Sequence, residues 1–342
     1  MNLIMKLAVI GLGFMGLTHL KALQNIPGAE LAAVASDDPV ALGGDLTSVG
    51  GNLGVEGERF DFSSVNQYPD WREAVADPAV EAVDLCLPTF LHAPAAIAAL
   101  EAGKHVLVEK PMALDDREAG RMLGAAKQAG RVLMVAQVLR FFPEYLPLIG
   151  LQRSGELGPM RSAAFRRRCA APTWGNWLPD KSKSGGGVTD LLVHDFDMAL
   201  HLFGPPEAAF ATGYEEPAKG IDSLDASLLY GDGSAVTISG GWHHPKSYPF
   251  LMEYTVSFDG GTVEYSSAGR PPKLHRADGE EVTLPLAEEN AYQAEIAYFL
   301  DCAERGARPE RCPPEESAAA VKLARLTAEA RSGERSVFRC EL

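Results

Sequence analysis

Cysteine is scarce and scattered in this chain. Cys86, Cys169, Cys302, Cys312 and Cys340 are odd in number, far apart and without a CxxC pair, which leaves no disulfide framework and no structural zinc site. Positive charge is also in deficit, with 31 Lys and Arg against 46 Asp and Glu and a formal net charge of −15. Nucleic acid needs a concentrated basic surface. The one basic run, Arg166 to Arg168, is short and strand-like, so its alternate side chains face opposite ways, and it reads as a surface strand. No apolar run reaches membrane-spanning length. The opening MNLIMKLAVIGLG ends in glycines without a small-residue cleavage site and reads as a buried first strand. Neither HExxH nor GxSxG occurs, and His243-His244 has no third ligand at useful spacing, so no metal and no serine hydrolase are expected. What remains is a chain for a reducing, cytoplasmic setting, acting on a small molecule, with neither nucleic acid nor membrane as partner.

At 342 residues the length fits about two domains. Lys6 to Ile10 is an apolar run, followed by Gly11-Leu12-Gly13-Phe14-Met15-Gly16 and a helical pattern through Leu17, Leu20 and Leu23. Strand, GxGxxG and helix come in the order a dinucleotide fold requires: the glycines allow a tight turn and close approach to a pyrophosphate, and the helix N-terminus supplies N–H donors. A second strand, Glu30 to Ala35, leads to Ser36-Asp37-Asp38, where the adenosine ribose is met. Ser36 tolerates a 2′-phosphate, whereas Asp37 and Asp38 repel one with no Arg or Lys beside them, so NAD(H) is favoured and NADP(H) stays open. Gly43 to Gly57 reads as a connecting loop. Further apolar strands deliver Leu87-Pro88-Thr89 with His92, and Glu109-Lys110-Pro111, to the ligand-facing rim. The pattern places an α/β Rossmann domain over residues 1–130.

Residues 131–342 read as an α+β domain with a large, mostly antiparallel open sheet, for substrate binding and oligomerisation. Hairpin signals such as Gly231-Asp232-Gly233 separate strand-like runs from Ala209 to Leu284, and two helices, 292–305 and 315–332, close the chain. The open sheet face suits a homodimer or homotetramer interface. Before that sheet, a loop from Ala170 to Ser184 carries Trp174 and Trp177, which either stack on a sugar ring or plug an interface. It runs into Gly185-Gly186-Gly187 and an amphipathic stretch in which Asp190, His194, Asp197 and His201 recur at helical spacing on one face. That stripe serves proton transfer, or else Asp190 caps the helix and His194 is a core histidine.

Taken together, GxGxxG, Cys86 to His92, the Gly103 to Pro111 segment GKHVLVEKP and the triple glycine with Asp190, His194 and Asp197 resemble the glucose-fructose oxidoreductase and inositol dehydrogenase family (Gfo/Idh/MocA), over essentially the whole chain. The resemblance implies an NAD(P)-dependent oxidoreductase that interconverts a secondary alcohol and a ketone on a sugar, polyol or cyclitol. It assigns catalysis to Lys110, Asp190 and His194, with Arg140 and Trp174 as further substrate contacts. Cofactor contacts fall to Gly11, Gly13, Phe14, Met15, Gly16, Ser36, Asp37, Leu87, Pro88, Thr89, His92, Glu109 and Lys110. Thr89 departs from the Asn that the family often places there. Two alternatives use the same parts: elimination or glycoside cleavage with transient oxidation, and a non-catalytic dinucleotide sensor.

Overall fold

The computed structural model describes residues 5–51, 56–173, 175–332 and 337–342. The first sheet is built from β1 (Met5–Ile10), β2 (Ala29–Ala35), β3 (Asn66–Tyr68), β4 (Ala82–Leu85), β5 (His105–Glu109) and β6 (Leu133–Ala136). Between them run α1 (Phe14–Leu23), α2 (Pro39–Leu42), α3 (Trp71–Ala76), α4 (His92–Glu101) and α5 (Asp116–Ala129). The strands lie in the order β3-β2-β1-β4-β5-β6, all parallel, which is the doubly wound dinucleotide fold. β1, β4 and β5 are apolar along most of their length because helices cover both faces. α5 shows how the sequence sets an element's limits. Asp115 caps its first turn by accepting the Glu118 N–H at 2.8 Å, and Gly130 ends it at φ +60°.

The second sheet follows α6 (Leu146–Ser154), β7 (Met160–Cys169) and three helices, α7 (Lys181–Ser184), α8 (Gly186–Asp190) and α9 (Val193–Phe203). Its remaining strands are β8 (Ala208–Glu216), β9 (Ile221–Leu229), β10 (Ala235–Trp242), β11 (Leu251–Phe258), β12 (Gly261–Ser266), β13 (Arg270–Arg276) and β14 (Glu281–Thr283). Two helices, α10 (Ala291–Arg305) and α11 (Pro314–Ser332), precede a last strand, β15 (Val337–Arg339). The nine strands lie in the order β14-β13-β12-β11-β7-β10-β9-β8-β15. All neighbours are antiparallel except β7 and β10, which makes this the large, mostly antiparallel sheet expected. β13 was not legible because Pro271 and Pro272 argue against a strand. Both prolines fall at a register shift, between the Ser266–Arg270 and Glu264–Lys273 pairs, where the ladder does not need their missing donors.

The chain forms two compact units, one up to Val138 together with Glu289–Ala318, the other from Leu139–Glu288 with Ala319–Leu342. A single cut near residue 130 therefore divides it too simply. α10 returns to the first unit, where Gln293 Nε2 donates to the Asn25 carbonyl at 2.9 Å and the Tyr292 ring lies 6.1 Å from that of His19.

Candidate active site

In the first unit the expected cofactor residues gather at the carboxyl ends of the strands. Gly11 takes φ +97°, and a Cβ there would meet the Cys86 carbonyl at 2.5 Å. Gly16 lies still closer, since its Cβ would stand 2.0 Å from the Gly11 oxygen. Gly13 differs: it is exposed, precedes the first residue of α1, and a Cβ would meet nothing within 4 Å. The turn is thus tight on its protein side and open where backbone N–H groups and the α1 dipole face outward, which fits a dinucleotide pyrophosphate. Phe14 and Met15 open α1 beside it. At the end of β2, the Ser36 hydroxyl accepts the Asp38 N–H at 3.2 Å and the Asp38 carboxylate caps α2 through Val40, while Asp37 is exposed.

Leu87, Pro88 and Thr89 follow β4, and the Thr89 hydroxyl is buried without a hydrogen-bond partner. His92 has a different task from the one expected. Its Nδ1 lies 2.7 Å from the Pro111 carbonyl and its Nε2 2.7 Å from that of Leu87, so both nitrogens face the two rim loops, and the neutral ring donates its single N–H to one of the two carbonyls. Burial lowers its pKa, against the pull of these carbonyls and of Glu109. Glu109 is likewise turned inward, 5% exposed, with Oε2 accepting the Lys110 backbone N–H at 3.0 Å. It fixes the main chain that presents Lys110.

Beneath these residues lies a cluster that no motif announces. His19, fully buried on α1, sets Nδ1 2.8 Å from Asp84 and Nε2 3.1 Å from Glu109. Burial opposes its charge, yet the Asp84 carboxylate raises the His19 pKa well above the ordinary value. Burial would also raise the Glu109 pKa, and the His19 contact outweighs it to hold that carboxyl low. Among the described residues His19, Asp84 and Cys86 form the one metal-like cluster. Its atoms are already hydrogen-bonded to one another, and burial pushes the Cys86 thiol far up. Glu295 on α10 is 0% exposed with neither oxygen partnered, and burial followed by Glu109 raises its pKa strongly.

The folded state therefore keeps a proton on Glu295 that the unfolded chain releases near the ordinary Glu value, and stability declines as pH rises from that value toward the folded one. Glu295→Gln mimics the protonated acid. It is expected to flatten that decline and to stabilise the protein by roughly 1–3 kcal/mol above neutral pH, read from denaturant midpoints against pH. Parallel curves for the two proteins would show that Glu295 is ionised in the fold.

In the second unit the Gly-rich turn is closely walled. Gly185 and Gly186 take φ +78° and +81°, and a Cβ on Gly187 would press on the Trp242 ring at 3.0 Å. The single polar-striped helix expected here is in fact two. α8 ends at Asp190, the chain turns at the buried Leu191 and Leu192, and α9 then begins, carrying His194 in its first turn. Burying both leucines takes precedence over helical continuity, so Asp190 and His194, both half-buried, stand on successive short helices. Arg140 is not a pocket wall: it is 1% exposed and clamped to Asp197 by a bidentate pair at 2.8 and 2.7 Å. Arg167 departs from the surface reading of its run, pairing with Asp195 at 2.8 and 3.1 Å in the interior. Both arginines anchor α9. Trp174 lies outside the described residues. A cavity of about 440 Å³ adjoins the turn, walled by Gly186, Asp222, Lys181, Trp242, His243 and His244 among others.

The profile of an oxidoreductase family with an NAD-binding Rossmann fold (GFO/IDH/MocA) matches residues 5–137, and that of the family's C-terminal domain matches 148–264. The chain is 36% identical over 181 residues to the uncharacterized oxidoreductase ORF334 of Rhizobium meliloti, a match that spans 52% of this chain and 54% of that protein. It is 27% identical over 318 residues to scyllo-inositol 2-dehydrogenase (NAD(+)) of Bacillus subtilis, covering 89% of this chain and 87% of that one. Levoglucosan dehydrogenase in complex with NADH and levoglucosan superposes with a TM-score of 0.83 at 20% identity, over 99% of this chain and 100% of that one, a likeness of fold.

Proposed function

The chain belongs to the GFO/IDH/MocA oxidoreductase family, and from that premise we propose that it interconverts a secondary alcohol and a ketone on a sugar, polyol or cyclitol, with NAD(H) ahead of NADP(H). The observation that carries the reading is the β1–α1 turn, closed by Gly11 and Gly16 and open at Gly13. The scyllo-inositol 2-dehydrogenase among its relatives supports the substrate class. A nicotinamide cofactor bound there would supply the hydride acceptor. Residues up to Val138 serve as the dinucleotide domain, with Gly11 to Gly16 on the pyrophosphate, Ser36 and Asp37 at the ribose, and the rim from Leu87 to Thr89 beside the nicotinamide.

As the carbinol C–H leaves as hydride, the hydroxyl proton passes to His194, imidazole being the side-chain base that suits such a step. Lys110 stabilises the negative charge that grows on the oxygen, and Asp190 orients the substrate hydroxyls. The second unit presents the sugar and joins copies of the chain. Exposed Phe210 and Tyr214 on β8, Leu229 on β9 and Val337 on β15 support a sheet-mediated homodimer or homotetramer. The five cysteines, none of them in a disulfide, agree with a reducing, cytoplasmic location, and among the described residues no helix is long and apolar enough to cross a membrane.

Titration of nucleotide-stripped protein with NADH and NADPH, followed by nicotinamide fluorescence, tests the cofactor half. NADH is expected to bind more tightly. Asp37→Ala should narrow the gap by about five- to tenfold, the scale of one charge repulsion near water. Equal affinities in the starting protein would mean that Ser36 governs the ribose pocket. A screen of polyols and sugars with NAD tests the other half.

A further inference from the structure

The Gly-rich turn is held by a residue from the far end of the chain. Asp222, on β9, accepts the Val188 N–H through Oδ2 at 3.2 Å, and a Cβ on Gly186 would stand 2.4 Å from that same oxygen. Its other oxygen lies 2.5 Å from Nη1 of Arg331, near the end of α11, and Nη1 also donates to the Ser223 carbonyl at 2.8 Å. Nη2 of Arg331 meets Glu215 at 2.7 Å, and Lys181 reaches the same Glu215 oxygen at 2.5 Å. The guanidinium comes in past Gly213, where a Cβ would stand 2.9 Å from Arg331 Cδ. Arg331 has a side chain only 2% exposed. Lys181, Glu215, Asp222 and Gly186 all line the cavity beside the turn.

A buried carboxylate needs a compensating cation, and Asp222 has no other close enough to take that part among the ion pairs of the described residues, since Lys181 is joined to Glu215. With Arg331 on one oxygen, the other is free to hold the turn. Gly186 begins α8 and Asp190 ends it, a span of roughly 6 Å along the axis, so the anchor acts one helical turn from Asp190. We propose that Arg331 is a positioning residue for the reaction: through Asp222 it fixes the turn that aims Asp190. The inference rests on the reading in which Asp190 and this second unit engage the substrate.

Three variants of the full chain test it: Arg331→Met, Asp222→Asn and the double variant. The probe is the best-oxidised member of a panel containing myo-inositol, D-glucose and D-xylose, with NAD. Arg331→Met strands the Asp222 charge and is expected to raise KM for that sugar about tenfold or more, with kcat changed less and NADH affinity unchanged. In the double variant the neutral amide still accepts the Val188 N–H through Oδ1 and needs no cation, so KM should return most of the way. Amide hydrogen exchange from Val188 to Asp190 reads the same anchor without turnover, faster in Arg331→Met and restored in the double variant. Should Arg331→Met fail to fold, Arg331→Lys, which cannot bridge both acids, is expected to show the KM rise instead. An unchanged KM and unchanged exchange in the arginine variants overturn the inference, as does a double variant that melts normally yet behaves like Arg331→Met. Absence of NADH formation from every sugar in the unaltered protein overturns the proposed function instead, and exchange at the turn still decides the anchor.

Discussion

Lys110→Ala and His194→Ala are each expected to lower turnover with the best sugar substrate by about 10²–10⁴-fold while changing NADH affinity less than about threefold. Removing hydride from a carbinol leaves an oxygen whose proton must go elsewhere, and the step stalls if neither a base nor a positive group stands ready. His194 is offered for the first duty and Lys110 for the second, and the fold invests in both. Lys110 leaves β5 with its main chain tied to Glu109, which is itself held by His19. His194 starts a helix pinned to the interior by the Arg140–Asp197 and Arg167–Asp195 pairs. Lys110→Arg should recover little, because a planar guanidinium does not reproduce a compact ammonium at the same point. Steady-state rates paired with fluorescence titration of NADH separate the outcomes. If either alanine variant keeps more than about a tenth of its turnover, that residue has neither role. If it loses NADH binding in parallel, the residue belongs to the cofactor site.

How much of this could be read beforehand depended on whether the deciding interaction was local. The β1–α1 turn was legible because its glycines do their work within six residues, and the parallel order followed from the alternation of apolar strands and helices. The place of Lys110, directly after an apolar strand, was legible through the segment around it. By contrast, His19 reads as one polar residue on an apolar helix, and only the fold brings Asp84, Glu109 and Glu295 around it. Arg140 was placed correctly in the chain but not in its role, because a bidentate bond to Asp197, which was visible only as a member of a helical stripe, turns it inward. The break between α8 and α9 escaped for a similar reason. Periodicity carries through Leu191 and Leu192, and burial of the two leucines decides where the helix stops. The Arg331–Asp222 pair crosses from the last long helix to β9, a distance no spacing rule spans.

Gly16→Ala and Gly13→Ala, two small changes three residues apart, are expected to separate fold from binding. At Gly16 the new methyl would fall 2.0 Å from the Gly11 oxygen, well inside contact distance, and the obstacle is backbone. The turn must open, at a cost of about 1–3 kcal/mol in stability. Its N–H donors then no longer converge, and loss of two charge-assisted hydrogen bonds weakens NADH binding by roughly 10²-fold or more. At Gly13 the methyl enters open space with φ −79°, a conformation alanine accepts, so the melting temperature should stay within about a degree or two. Yet on the proposed reading that space receives the pyrophosphate against the backbone, and NADH should again bind far more weakly. Thermal melting and NADH fluorescence titration of both variants therefore give two readings each. Both properties should fall in Gly16→Ala, and binding alone in Gly13→Ala. A Gly13→Ala protein that binds NADH as the parent does would place the dinucleotide away from this turn, and with it would go the assignment of Ser36 and Asp37 to the ribose.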